Sequence, residues 1–510
     1  MRTELEVVCG SDVLHVEGLF IYRDYKAGEE SLRAFWTDYQ KKKPVFDDCI
    51  GSYRVCVELH DGGKLYFGDT SGAMFWYLDD ETGAVLRQIS EVPVEERKPD
   101  YASIAQFFWF GCIYGMGTIL RGITRSDPEF CYLLRDGRIS AQSKNLTPLE
   151  KLPGGEDALE QYIRRVLKAT DGKETIGCSI TSGTDSRSVL AHLYANGIRP
   201  QLSITGTDEH ADVRAAKQIA DILGQDLMVI SGKPENATWL RDSLHEVNGS
   251  AGACGAYRLI RQFQELETRG ITLQFGGVAG EFYKNSFINQ DYPRYGGKPD
   301  WERFLKFKVI TYDFPKTICG PALLPEVEKI PDTLLCMARK HQGSTKASAY
   351  LSAGYRILQA RGGTLSMTEN RHVVTCSPLV ERCVAAPMFR ADPYKLEMQA
   401  YQRKQVTTFC PQIKDVPTDR NLTCDSSKQT AEWMKSMAYL IRVAMRRIFH
   451  RKQVSARIDV CFEQGLHSHE FYQAVEQCKS MGVLSSEVKP DSLPLGIADR
   501  ILTVGNFFRS

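Results

Sequence analysis

No two of the fifteen cysteines stand at C-x-x-C spacing, and the ten histidines do not cluster with them. The common closed zinc modules are thereby excluded; the nearest cysteine spacings, Cys49 to Cys56 and Cys376 to Cys383, do not match zinc ligation either. No G-x-x-x-x-G-K-[ST] run marks a Walker A loop. The longest apolar run, FFWFGCIYGMGTIL, is too short to span a bilayer and is broken by Gly111, Gly115 and Gly117, so it reads as a buried helix and turn. A net charge of +1 gives no general attraction to nucleic acid or acidic membranes. Repeats, low-complexity tracts and a signal peptide are not evident, and the cysteines read as reduced core residues of a cytoplasmic protein. What is present, 510 residues of which 43% are hydrophobic, supports two or three domains with sizeable cores.

The most informative run is Ser182-Gly183-Thr184-Asp185-Ser186. Residues 175–181 before it (TIGCSIT) are apolar and rich in β-formers, and Ser182-Gly183 breaks them with a turn. After it, Val189, Leu190, Leu193 and Tyr194 recur at helical spacing up to Gly197, a C-cap. A strand that ends at a tight turn into a helix offers phosphate the helix's unpaired N–H groups and dipole, with the Ser182 and Ser186 hydroxyls alongside. Asp185 at that place calls for a cation, because its carboxylate would repel phosphate without Mg2+ between them. An ordinary turn is the plainer alternative for so short a pattern. The following residues favour the site. QLSITGTD is a second strand candidate with Leu202 and Ile204 facing alike, residues 208–224 form a second helix candidate with Val213, Ala216, Ile219, Ala220 and Leu223 on one face, and residues 227–231 form a third strand. This βαβαβ order predicts a doubly wound parallel sheet, which binds ligands at the carboxyl ends of its strands.

On these residues the chain resembles the asparagine synthetase family, whose ATP-pyrophosphatase domain carries an SGGxDS loop; Thr184 stands where the family has its second glycine. The family's D-x-x-x-A-x-x-x-A-x-x-x-G segment is matched by Asp212, Ala216, Ala220 and Gly224. QFGGVAGEFY, after the strand-like ITLQF, is similar to the family's GxGxDE element, with the first glycine on Gly276 and the final acid on Glu281. The family's metal-binding aspartate falls on Gly280. The resemblance implies ATP held by Ser182, Gly183, Thr184, Asp185, Ser186, Ile204, Gly276 and Gly277, and Mg2+ held by Asp185 with Glu281 as the substitute ligand. A helix N-terminal acid is the plainer reading of Glu281. In the family a lysine beyond an RVPFLD segment stabilises charge on the tetrahedral species and the departing phosphates. Residues 375–387 (TCSPLVERCVAAP) resemble that segment, which makes Lys395 the candidate lysine, with Lys404 next and a solvated helix residue as the alternative. Arg356 is a further candidate for a substrate carboxylate or phosphate, against an ordinary exposed arginine.

The front of the chain resembles the same family's glutaminase domain. GSYRVCVEL from Gly51 is similar to its G-x-F-A strand, and LYFGDTSGAMFWYL from Leu65 to its RD-x-x-G-x-x-P-L-Y-Y hairpin, with Asp69 and Gly72 kept and Gly68 in place of the arginine. TILRGI resembles the end of that domain. Family glutaminases attack glutamine with a cysteine that is the first residue of the processed chain. Here Arg2 follows Met1, and the nearest cysteine, Cys9, reads as a strand residue. The resemblance therefore implies a scaffold without glutaminase chemistry, as in the β-lactam synthetases and lasso-peptide cyclases, where a substrate amine replaces ammonia.

The expected architecture is α/β: residues 1–150 an α+β glutaminase-like sandwich, residues 151–425 a doubly wound parallel-sheet ATP-pyrophosphatase domain, and residues 426–510 a helical extension. The boundary falls in SKNLTPLEKLPGGED, where charge, Pro and Gly interrupt the patterns. The basic stretch IRVAMRRIFHR reads as the solvated face of an amphipathic helix, with contact to RNA or a peptide as the alternative. The expected function is an ATP-dependent ligase that adenylates a small-molecule or peptide carboxylate, releases pyrophosphate and forms an amide with a non-glutamine amine. The alternatives are an ammonia-dependent asparagine synthetase, an amide-forming enzyme acting on a surface sugar, and a nucleotide-binding regulatory protein without catalysis, the last suggested by the missing aspartate at Gly280.

Overall fold

The computed structural model describes residues 4–418, 422–425, 434 and 460–509. Residues 426–433 and 435–459, the basic stretch 442–451 among them, lie outside the described residues.

The front of the chain alternates apolar and polar residues and forms strands accordingly. β1 (Leu5–Cys9), β2 (Asp12–Gly18), β5 (Tyr53–Glu58), β6 (Lys64–Gly68), β10 (Phe130–Arg135) and β11 (Arg138–Ser143) make an antiparallel sheet in the order β1-β2-β5-β6-β10-β11. In β5 the residues Tyr53, Val55 and Val57 are fully buried on one face, against Leu32, Phe35 and Trp36 of helix α1 (Glu29–Gln40). The other face carries Cys56, Tyr66, Tyr132 and Leu134 against Trp76, Leu78 and Val85. Leu78 and Val85 belong to a small sheet of β7 (Tyr77–Asp79), β8 (Val85–Leu86) and β9 (Ile123–Arg125), and β3 (Ile21–Tyr22) pairs with β4 (Cys49–Ile50). The run FFWFG closes helix α2 (Tyr101–Phe110), whose Ile104, Phe107 and Phe108 are buried.

The second layer system is a five-stranded parallel sheet. β12 (Ile176–Ser179), β13 (Gln201–Thr205), β14 (Leu227–Ile230), β15 (Leu273–Phe275) and β16 (Val374–Cys376) lie in the order β14-β13-β12-β15-β16. The chain runs outward from β12 through β13 to β14, then returns to the other side of β12 for β15 and β16. The order therefore reverses between β12 and β15, and the carboxyl ends at such a reversal are where doubly wound sheets bind their ligands. Helices α3 (Ala158–Ala169), α4 (Thr184–Ala195), α5 (Ala211–Leu223), α6 (Trp239–Val247) and α7 (Ala253–Thr268) belong to this region. The predicted helix over 208–224 starts at Ala211, because Gly206 to His210 form the turn leaving β13, and it ends where Gly224 takes the left-handed conformation at φ 61.

Later helices α8 (Trp301–Lys308), α9 (Leu324–Arg339), α10 (Lys346–His372), α11 (Arg382–Arg390) and α12 (Ala400–Phe409) complete the central region. One continuous hydrophobic core includes Ile104 and Phe108 of α2, the central sheet residues Cys178, Leu202 and Phe275, and Ile501 and Val504 of the final helix Leu495–Phe507. That helix is fixed electrostatically as well. Asp499 accepts the backbone N–H groups of Cys254 (2.8 Å) and Gly255 (3.0 Å), so it caps α7 from a distant part of the sequence. Asp499→Ala removes the acceptor of the buried Cys254 N–H and of the partly exposed Gly255 N–H, and is expected to lower unfolding stability by about 1–3 kcal/mol in urea titration, with Asp499→Asn closer to wild type. None of the fifteen cysteines is in a disulfide, and most are buried. Among the described residues no helix is long and apolar enough to cross a membrane.

Candidate active site at the strand ends

β12 stops at Ser179 and α4 starts at Thr184, with Gly183 as its N-cap in extended conformation (φ −70, ψ 156). Glycine brings no side chain to cap the first turn, which leaves that end of the helix with its positive dipole. Hydroxyls hold the turn instead. Thr181 Oγ1 accepts the Gly183 N–H at 3.1 Å and lies 3.1 Å from Ser186 Oγ, which also accepts the Thr181 N–H. Ser182 gives its N–H (3.0 Å) and its hydroxyl to Asp212 Oδ1 at the start of α5. Asp212, matched in the sequence to a family aspartate, thus ties the turn to the next helix. Thr181, one residue before the Ser182–Ser186 run, is the residue whose hydroxyl and N–H hold the turn together.

Across the reversal, the turn after β15 lies against the start of α4. Gly276 gives its N–H to Cys376 O at 3.0 Å. A Cβ on Gly277 would stand 2.5 Å from Ser186 N and 2.8 Å from Asp185 C, so glycine is what lets this turn close on the start of α4. The next turn, Gly280–Lys284, is bracketed by Ala279 (φ 70) and Asn285 (φ 57) in left-handed conformations. It returns Lys284 to Asp185, with Lys284 Nζ 2.5 Å from Asp185 Oδ2. The other Asp185 oxygen accepts Gln402 Nε2 at 3.0 Å, and that amide also donates to Gly280 O at 3.2 Å. Burial pushes the Asp185 carboxyl above its ordinary value; the Lys284 ammonium and the Gln402 amide oppose that, and the Glu281 charge adds to it.

Helix α12 lies along α4 and supplies Gln402. Gln399, its left-handed N-cap (φ 60), accepts the Thr184 hydroxyl at 3.1 Å, and Gln405 sits 2.8 Å from His192 Nε2. Ser182, Thr184 and Ser186 are consequently buried, whereas Gly183 and Asp185 keep partial access.

The other expected residues divide. Glu281 is exposed and lies near enough to act on Asp185 by charge alone. Ile204 is buried in the core of β13. Lys395 is exposed in the turn Pro393–Gln399, and Lys404 pairs with exposed Glu156 at 2.5 Å. Arg356 does not reach the strand ends; it grips Asp127 at 3.0 and 3.1 Å and joins α10 to the front of the chain. The lysine that the fold brings to the site is Lys284.

Mg2+ between two carboxylates does not fit these groups. Both Asp185 oxygens already take N–H donors, and a Cβ at Gly280 would stand 2.0 Å from Asp185 Cγ, so an acid has no room there. No group of three or more His, Cys, Asp or Glu able to hold a metal occurs among the described residues. No family model matches the chain, and no curated protein matches it in sequence.

Proposed function

We propose that the chain is an ATP-dependent carbon–nitrogen ligase of the asparagine synthetase kind, which adenylates a substrate carboxylate, releases pyrophosphate and joins the acyl group to an amine. The observation that carries this reading is the meeting of three features at the reversal between β12 and β15: a helix N-terminus without a side-chain cap, a glycine, Gly277, that lets the turn after β15 close on it, and a lysine held beside Asp185. In the reaction a carboxylate oxygen attacks the α-phosphorus and pyrophosphate leaves. The amine then attacks the acyl carbon, loses its proton and expels AMP. The α4 amides and the Lys284 ammonium are suited to meet the charge on the phosphates.

An amine other than glutamine-derived ammonia is favoured because Cys9, the first cysteine, closes β1 opposite Asp12, and burial pushes its thiol up, away from the reactive thiolate. A second reading, nucleotide binding without catalysis, is favoured by one observation: both Asp185 oxygens are engaged within the protein. Exchange of labelled pyrophosphate into ATP, run with a panel of carboxylates, separates the two. Carboxylate-dependent exchange is expected; tight ATP binding with no exchange on any carboxylate would establish the second reading in its place.

A further inference from the structure

We infer that Lys284 is the cation of this site, held by the chain where a two-carboxylate seat would hold a divalent ion, so that nucleotide phosphate binds the protein without a metal. The inference rests on the nucleotide reading above and goes beyond it. It starts at Gly280. The Asp185 carboxylate lies against the Gly280 α-carbon so closely that any side chain there would overlap all three carboxylate atoms, at 2.0–2.3 Å. The space for a second acid is taken by the first.

The same turn then supplies a cation. Left-handed Ala279 and Asn285 fix its two ends, and Asn285 Nδ2 donates to Pro393 O, which pins it to the segment leading into α12. Lys284 is held with its side chain one fifth exposed and its ammonium on Asp185 Oδ2. An ammonium has three donors, and Lys284 makes no further hydrogen bond among the described residues. Its remaining donors are available to phosphate oxygens.

A second, independent feature marks the place as lacking a ligand. Gln402 is fully buried, and its Nε2 is oriented by two acceptors, Asp185 Oδ1 and Gly280 O, which leaves Oε1 with no donor. A buried amide oxygen without a partner is costly. Beside an ammonium with spare donors, it fits a water of a bound phosphate's shell or an N–H of the reacting amine.

The two cation schemes differ in what Asp185→Asn does when Mg2+ is present. If Asp185 seats a divalent ion, Asp185→Asn weakens ATP binding and the loss is seen only with Mg2+ present. If Asp185 holds Lys284, the same change releases the ammonium, and ATP binding stays the same or tightens both with and without Mg2+.

Calorimetric titration of the full chain with ATP, once in EDTA and once in Mg2+, tests this. Wild type is expected to bind in both, within about threefold; Lys284→Met should lose roughly 10- to 100-fold in EDTA, as removal of a charged hydrogen-bond donor implies, and Lys284→Arg should retain most of the affinity. If Lys284→Met fails to fold, Asp185→Asn in Mg2+ decides: affinity equal to or above wild type supports the inference, and a loss confined to Mg2+ overturns it. Binding that requires Mg2+, or binding in EDTA that a folded Lys284→Met leaves unchanged, overturns the inference and spares the nucleotide reading. Binding in neither condition overturns both.

Discussion

Alanine at Gly277 is expected to abolish nucleotide binding and to lower unfolding stability by about 2–3 kcal/mol, while alanine at the adjacent Gly276 should change neither. The two glycines look alike in the sequence. A methyl on Gly277 would meet backbone of the α4 start, Ser186 N at 2.5 Å and Ser186 Cα at 2.9 Å, and backbone cannot swing aside as a long side chain can. Relief requires the β15 turn to withdraw from α4, which carries Lys284 away from Asp185. A methyl on Gly276 meets nothing within 4 Å. Urea unfolding and ATP titration of the two variants side by side check the pair; equal behaviour would mean that the closeness of the two turns is not what forms the site.

Raising the pH from about 5.5 to about 8 is expected to destabilise the protein steeply, and Glu381→Gln should remove about half of that slope. Glu381 is buried between the two sheet systems, where Oε1 accepts the Gly51 N–H at 2.9 Å and the Tyr162 hydroxyl at 3.2 Å. Burial pushes its pKa up to about 8, and nearby Asp69 adds to this while the Gly51 and Tyr162 hydrogen bonds and Arg165 oppose it. Burial alone pushes Glu369 of α10 up to about 8 as well. From the ordinary value of 4.5 up to about 8, the folded chain keeps protons that the unfolded chain has released. The stabilisation is therefore complete below the unfolded value and is lost as pH rises through the folded one, at on the order of 1 kcal/mol per pH unit for each group. Glutamine stands in for the protonated acid at every pH. An unchanged slope in Glu381→Gln would show that this carboxyl is not what couples stability to pH.

The parallel sheet was legible because its strands are short apolar runs separated by helices with one apolar face. Ala216 and Ala220 of α5 are buried and Gly224 ends the helix, as their spacing from Asp212 predicts. The turn into α4 was legible for the same reason: Gly183 and the small hydroxyl residues mark it wherever it occurs. Lys284 was not. In EFYKN a lysine reads as the solvated end of a turn, and what directs it inward is the left-handed backbone at Ala279, a residue type that gives no sign of positive φ. Gln399 and Gln402 escaped notice because glutamine on an amphipathic helix is ordinary until a neighbouring helix start lies beside it. Lys395 and Arg356 were singled out by their place along the chain, but the fold leaves the one in an exposed turn and spends the other on Asp127. The final helix, expected as part of an extension, enters the main core because Leu495–Phe507 is apolar on nearly every side and presents Asp499 to α7.

The claim on which the rest depends is that ATP occupies the site between the α4 start and the turns after β15. Hydrogen–deuterium exchange of the full chain with and without ATP addresses it directly, since amides that bind phosphate exchange slowly. Protection of roughly tenfold or more is predicted for peptides covering residues 181–188 and 276–284, with residues 5–58 unchanged. ATP-dependent protection elsewhere, with those two segments exchanging as in the free protein, would contradict the account.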